Sequence, residues 1–201
     1  MRRAAWLLLV LVTACTTADE QTTASTLPPA DDSGPPVVFV ALGGGETTGL
    51  GLADNLRQAW PQLVFAGALP RRAVHVNLAS PEATVAQALD AQVPAALELQ
   101  PTLATVWLTS GDALAATPLT RYERDLETVV VALQEGGAQV LVASGPAGPA
   151  SVEPYHAAAE RVVERTGTEL VDLSSLDPDL GAAGHRQVAD AFTAALATDP
   201  P

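Results

Sequence analysis

Residues 37–51 read VVFVALGGGETTGLG. Val37 to Leu42 is an unbroken apolar run of β-branched and aliphatic character, the pattern of a strand buried on both faces. It stops at Gly43-Gly44-Gly45, a signal for a turn. Similar runs recur at 74–79, 104–108, 139–143 and 169–173. Between them, apolar residues recur at helical spacing: Val85, Leu89, Val93, then Leu119, Tyr122, Leu126, Val129, Leu133. Val188, Phe192 and Leu196 mark one face of a last helix. Gly136-Gly137 and Gly167 stand where left-handed caps end helices. Five strands alternating with helices predict an α/β domain over residues 37–198, a three-layer sandwich around a parallel five-stranded sheet. No internal repeat interrupts it.

The chain is long enough, at 201 residues with 48% hydrophobic content, to bury a core, which excludes global disorder. Its net charge of −13 argues against nucleic acid as a partner. All ten basic residues are arginine. The absence of lysine excludes a P-loop nucleotide site and a Schiff-base mechanism. Cys15 is the single cysteine, so the sequence offers neither an intrachain disulfide nor a cysteine metal site.

Residues 1–14 read as an export signal. Arg2 and Arg3 precede an apolar stretch, Ala5 to Val12, too short to span a bilayer. Val12-Thr13-Ala14-Cys15 resembles the lipobox of bacterial lipoproteins. That resemblance implies cleavage before Cys15, lipid attachment at its sulfur, and anchoring to the outer face of a membrane by acyl chains. The mature chain then carries 8 arginines against 23 acidic residues, a net charge of −15. Residues 15–36 are rich in Thr, Ser, Pro and Asp, and read as a disordered tether.

In a parallel sheet the functional crevice lies at the carboxyl ends of the strands. The residues that fall there are Gly43 to Gly49, Ser80-Pro81-Glu82, Thr109 to Asp112, Ser144-Gly145-Pro146, Ser174 to Asp179, and Gly184-His185. The glycine loop does not make a dinucleotide site. Its spacing is G-x-G-x-x-x-G, and strand two ends in Asn77-Leu78 rather than an acidic ribose ligand. Glu46, Thr47, Glu82, Asp112 and Asp179 are candidate ligand-binding residues. Converging on one crevice, their four carboxylates would attract an amine, a sugar hydroxyl network or a shared divalent ion through oxygen ligands.

The same stretches resemble the SGNH/GDSL hydrolases, a family of serine esterases, lipases and carbohydrate deacylases on a flavodoxin-like α/β sandwich. VALGGGETTGLG resembles the first block, VALGDS-x-T-x-G. The segment from Asn77 to Leu108 resembles the second block, TSGDALAATPL the third, GGND, and GAAGHRQVADAF the helix after the family's D-x-x-H-P. The resemblance implies no cofactor. It places the nucleophilic serine at Gly45, the oxyanion glycine at Glu82, the oxyanion asparagine at Gly111 and the catalytic histidine at Asp179.

None of these replacements can do the family's chemistry. Gly45 has no hydroxyl to attack with, and Gly111 has no amide to donate. Glu82 places a carboxylate where negative charge must develop. One lost oxyanion donor costs roughly two to three orders of magnitude in rate, and here more than one is gone. The expectation is a catalytically inactive binding or structural module of the cell envelope, holding a glycan or acyl ligand. The alternative is an active hydrolase of esters or acetylated sugars with a rewired site, Ser110 as nucleophile and His185 as base, oriented by Asp112 or Asp179.

Overall fold

The computed structural model describes residues 36–146 and 148–198. The expected export signal, Cys15 and all of the expected tether but Pro36 lie outside the described residues. Five strands form one fully parallel sheet: β1 (Val38–Gly43), β2 (Val74–Asn77), β3 (Leu103–Trp107), β4 (Gln139–Ser144) and β5 (Glu169–Asp172). Their order is β2-β1-β3-β4-β5, the flavodoxin-like winding. In register, Phe39 faces His75 on one side and Leu103 on the other.

The continuous apolar runs follow from burial on both faces. Val40 and Leu42 pack with Val106, Val142 and the helices of one face, while Phe39, Ala41 and Leu141 pack with those of the other. On the first face lie α4 (Val85–Gln87), α5 (Val93–Glu98), α7 (Leu119–Glu135) and α8 (Glu153–Thr166). On the second lie α3 (Trp60–Ala68) and α9 (Ala182–Thr198). Trp60 of α3 stacks on Phe192 of α9 at 4.2 Å between ring centroids. The residues chosen by spacing in α7, Tyr122, Leu126, Val129 and Leu133, are all buried. Gly137 and Gly167 adopt the left-handed conformation at φ +91° and +64°. Three further short helices lie among the described residues: α1 (Gly45–Thr48), α2 (Asn55–Gln58) and α6 (Ser110–Leu114).

Between α4 and α5 the helix widens to π geometry over Ala88–Gln92. Such a bulge re-aims the side chain at its end. Here it turns the Gln92 amide onto the end of β1, where its Oε1 accepts the Gly43 N–H at 2.9 Å and its Nε2 donates to the Gly43 carbonyl at 3.1 Å. Gln92 is 5% exposed. Side chain thus substitutes for a neighbouring strand at the point where the chain leaves the sheet.

Replacing Gln92 with methionine keeps the volume but orphans the buried Gly43 N–H. Urea unfolding of Gln92→Met should show a loss of about 2 kcal/mol.

Candidate functional site

β1 and β3 are neighbours in the sheet, but the chain leaves them toward opposite faces, which opens a crevice at their carboxyl ends. Gly44 N–H closes the gap partway by donating to the Trp107 carbonyl at 3.2 Å. Beyond it lies a cleft of about 360 Å³. α1 contributes Gly45 and Glu46, the turn after β2 contributes Glu82, and α6 contributes Ser110, Gly111 and Leu114. The segment after β5 contributes Pro178 to Gly181, and α9 contributes His185.

The four positions that the resemblance equates with catalytic groups all line this cleft. At Gly45 there is room for a side chain, since an added Cβ would meet only Leu50, at 3.6 Å. At Gly111 there is none. An added Cβ would overlap the Ala83 carbonyl group and lie 2.9 Å from the Glu82 carbonyl oxygen. The turn has closed backbone to backbone on the place where an asparagine side chain would begin. Glu82 holds φ at +58°, in the left-handed region that favours glycine. Asp179 is exposed on a loop whose turns tie its N–H to Asp177 Oδ1 at 2.9 Å and its carbonyl to the Gly181 N–H at 2.9 Å.

Ser110 and His185 both line the cleft, each hydrogen-bonded to another group rather than to the other. The Ser110 hydroxyl donates to Glu46 Oε1. His185 is 2% exposed, and its Nδ1 accepts the Trp60 N–H at 3.3 Å. That bond consumes the imidazole lone pair and leaves the proton on Nε2. Burial lowers the His185 pKa, against an opposing pull from Glu46. The cleft is therefore offered a neutral ring with a donor rather than an acceptor. His75 belongs to β2 and stacks on Phe39 at 4.6 Å. Burial also lowers the pKa of His156 in α8, while Glu153, Glu160 and, more weakly, Glu46 raise it.

The carboxylates do not all converge. Asp112 is 1% exposed and sits beneath the cleft, where its Oδ2 accepts the Val85 N–H at 2.6 Å and so caps α4 from across the domain. Burial raises its pKa, and the Val85 N–H works against the rise. Thr47 is likewise buried beneath α1, its carbonyl accepting from Asn77 Nδ2 at 2.8 Å. Both side chains are buried and neither lines the cleft, so neither is presented to a ligand there. Glu46, Glu82 and Asp179 remain. Among the described residues no three His, Cys, Asp or Glu side chains come close enough together to hold a metal ion. The sequence reading also missed the apolar walls: Leu50, Leu52, Leu114 and Leu180 line the same space, and Leu50 and Leu114 are exposed by 70% and 75%.

Residues 40–196 match the model of the GDSL-like lipase/acylhydrolase family, and the chain belongs to that family. No curated protein sequence matches it significantly. Among solved structures it is similar to TesA, at 22% identity with a TM-score of 0.66, over 79% of this chain and 97% of TesA. It is similar to the psychrotrophic esterase EstA from Pseudoalteromonas sp., at 19% identity and a TM-score of 0.65, over 80% and 97% of the two chains. It is also similar to AlinE4, an SGNH-hydrolase family esterase, at 21% identity and a TM-score of 0.62, over 84% and 98%. These likenesses establish the fold.

Two stability predictions follow from the backbone. Gly45→Ser should change the unfolding free energy by less than about 0.5 kcal/mol, whereas Gly111→Asn should cost about 3 kcal/mol or more, because backbone must move. In the same urea series, Glu82→Gly should stabilise by up to about 1 kcal/mol, relief of the left-handed strain being partly offset by a freer unfolded chain.

A pH prediction follows from the histidines. All three have pKa values lowered by burial from the ordinary 6.5. Their unfolded forms bind protons first, so their stabilising contribution is present above pH 6.5 and is lost as the pH falls through the folded values. Asp112 has the opposite sign, its contribution present below 3.8 and lost as pH rises through its raised value. Melting temperatures between pH 7.5 and 5 should fall for the wild type, and the fall should be shallower in His185→Gln.

Proposed function

We propose that this protein is an exported lipoprotein, anchored through Cys15, whose GDSL-like domain binds an envelope glycan or acyl ligand without cleaving it. The observation that carries the reading is the pairing inside the cleft. Among the described residues, the one histidine lining it has its lone pair bound to the Trp60 N–H, and the one serine lining it donates to a carboxylate. Acyl transfer needs a hydroxyl activated by a base and donors aimed at the oxyanion. Here the position equivalent to the nucleophile has no side chain, and the amide position is closed by backbone. Binding and a residual donor would leave little of the family's rate enhancement.

The direction of the sheet supports a ligand in the surrounding envelope rather than in the anchoring bilayer. The chain enters at Val38, and the cleft lies at the other end of the six-residue β1, about 20 Å away. In this reading the end of the domain nearest Cys15 in sequence is the start of β1, and the cleft lies at the other end of that strand.

One observation favours the rival reading of an active, rewired hydrolase: the Ser110 hydroxyl lies against Glu46, a carboxylate that could take its proton. A fluorophosphonate probe separates the two. The full chain in detergent should remain unlabelled and should hydrolyse p-nitrophenyl acetate no faster than Ser110→Ala. Labelling that disappears in Ser110→Ala would overturn the binding reading.

A further inference from the structure

We propose that the cleft selects an organic ammonium group carried on a body with an apolar face and a neighbouring acceptor oxygen, as in a de-N-acetylated amino sugar or an amphiphilic amine. The inference rests on the binding reading and names the ligand class for that same site.

Three features of the cleft lead to it. The first is uncompensated charge. Glu46, Glu82 and Asp179 all line the cleft, no arginine does, and none of the three is in an ion pair among the described residues. An anionic ligand would be repelled from such a wall, and a cation drawn to it. The second is spacing. The three carboxylates share a space of about 360 Å³, yet no such cluster is tight enough for a metal ion. A compact inorganic cation cannot touch them together, whereas an organic cation with several donors can. The third is the buried donor. His185 lines the cleft and is 2% exposed, its Nδ1 is committed to Trp60, and its Nε2–H donates to no group among the described residues. A donor at the wall of an acceptor-rich cleft calls for an acceptor oxygen beside the ligand's ammonium. The leucines at the rim, Leu50 and Leu114, offer apolar surface to the rest of the body.

The two sources of such an ammonium, a glycan and a free aliphatic amine, differ in what surrounds the nitrogen. Titration calorimetry of the full chain in detergent separates them with three probes: a glucosamine tetramer, the matched N-acetylated tetramer, and hexylamine. The glucosamine tetramer should bind at least about tenfold more tightly than its N-acetylated match. Exposed charges contribute a factor of about 1.4 to 5 each, so Glu82→Gln/Asp179→Asn should weaken the amine about tenfold. Raising salt from about 0.1 to 1 M shortens the screening length from about 10 to 3 Å and should weaken it further. Tighter binding of hexylamine than of the glucosamine tetramer would support the ammonium class and assign the free amine as its source.

A blocking variant keeps the ligand class separate from the cleft itself. Gly181 lines the cleft, and an added Cβ there meets nothing within 4 Å, so Gly181→Trp should fill the space while leaving the melting temperature unchanged. Equal binding of both tetramers, lost in Gly181→Trp, would overturn the ammonium preference and leave the cleft as a binding site. No heat from either amine, or an affinity indifferent to Glu82→Gln/Asp179→Asn, would overturn the inference as well. Fluorophosphonate labelling would strike the binding reading on its own.

Discussion

The domain is organised by β1, which is hydrogen-bonded on both edges and buried on both faces. A strand so placed has no freedom of register, because a shift by one residue would exchange its two apolar faces and break two parallel ladders. Its end is therefore a fixed point, and Gln92 fixes it once more by grasping both polar groups of the Gly43 backbone. Everything functional in the molecule is measured from there. α1 starts two residues later, α6 starts from the neighbouring β3, and the crevice between the two is the consequence of parallel strands whose chains depart in opposite directions.

The cleft itself is governed by a close approach. Gly111 permits the Glu82–Ala83 carbonyls to press against α6. A side chain at 111 would hold that turn away, and the turn, once in, leaves no space for one. The absence of a side chain at 111 and the position of the turn are thus one structural fact. Glu82 lies on the other side of that contact. Its backbone holds a glycine-like φ of +58°, although its side chain is a carboxylate. Strain of about 1 kcal/mol at one residue is small beside the stability of a domain, and the fold tolerates it.

The sheet was legible in the sequence because burial on both faces leaves no ambiguity of period. The five runs beginning near Val38, Val74, Leu103, Gln139 and Glu169 have the length and continuity of buried parallel strands, and the structure ends them within a few residues of where the runs end. The family resemblance rested on the loops that follow those strands, and residues 40–196 carry it. The positions of Gly45, Glu82, Gly111, Ser110, Asp179 and His185 at one crevice followed from the topology alone.

Side-chain direction was not legible. Asp112 follows Gly111 on α6 and was a reasonable candidate for the crevice, yet one helical step turns it inward, to a partner 27 residues away in sequence. Thr47 turns in for the same reason, one residue after Glu46. Nor could spacing reveal that His185 would meet the backbone of Trp60, 125 residues earlier, because the packing of α3 against α9 brings them together. That contact decides which ring nitrogen holds the proton, and with it whether the histidine is a base or a donor. In a fold shared with esterases, a backbone N–H from a helix that carries no other part of the cleft sets which nitrogen of the cleft histidine holds the proton.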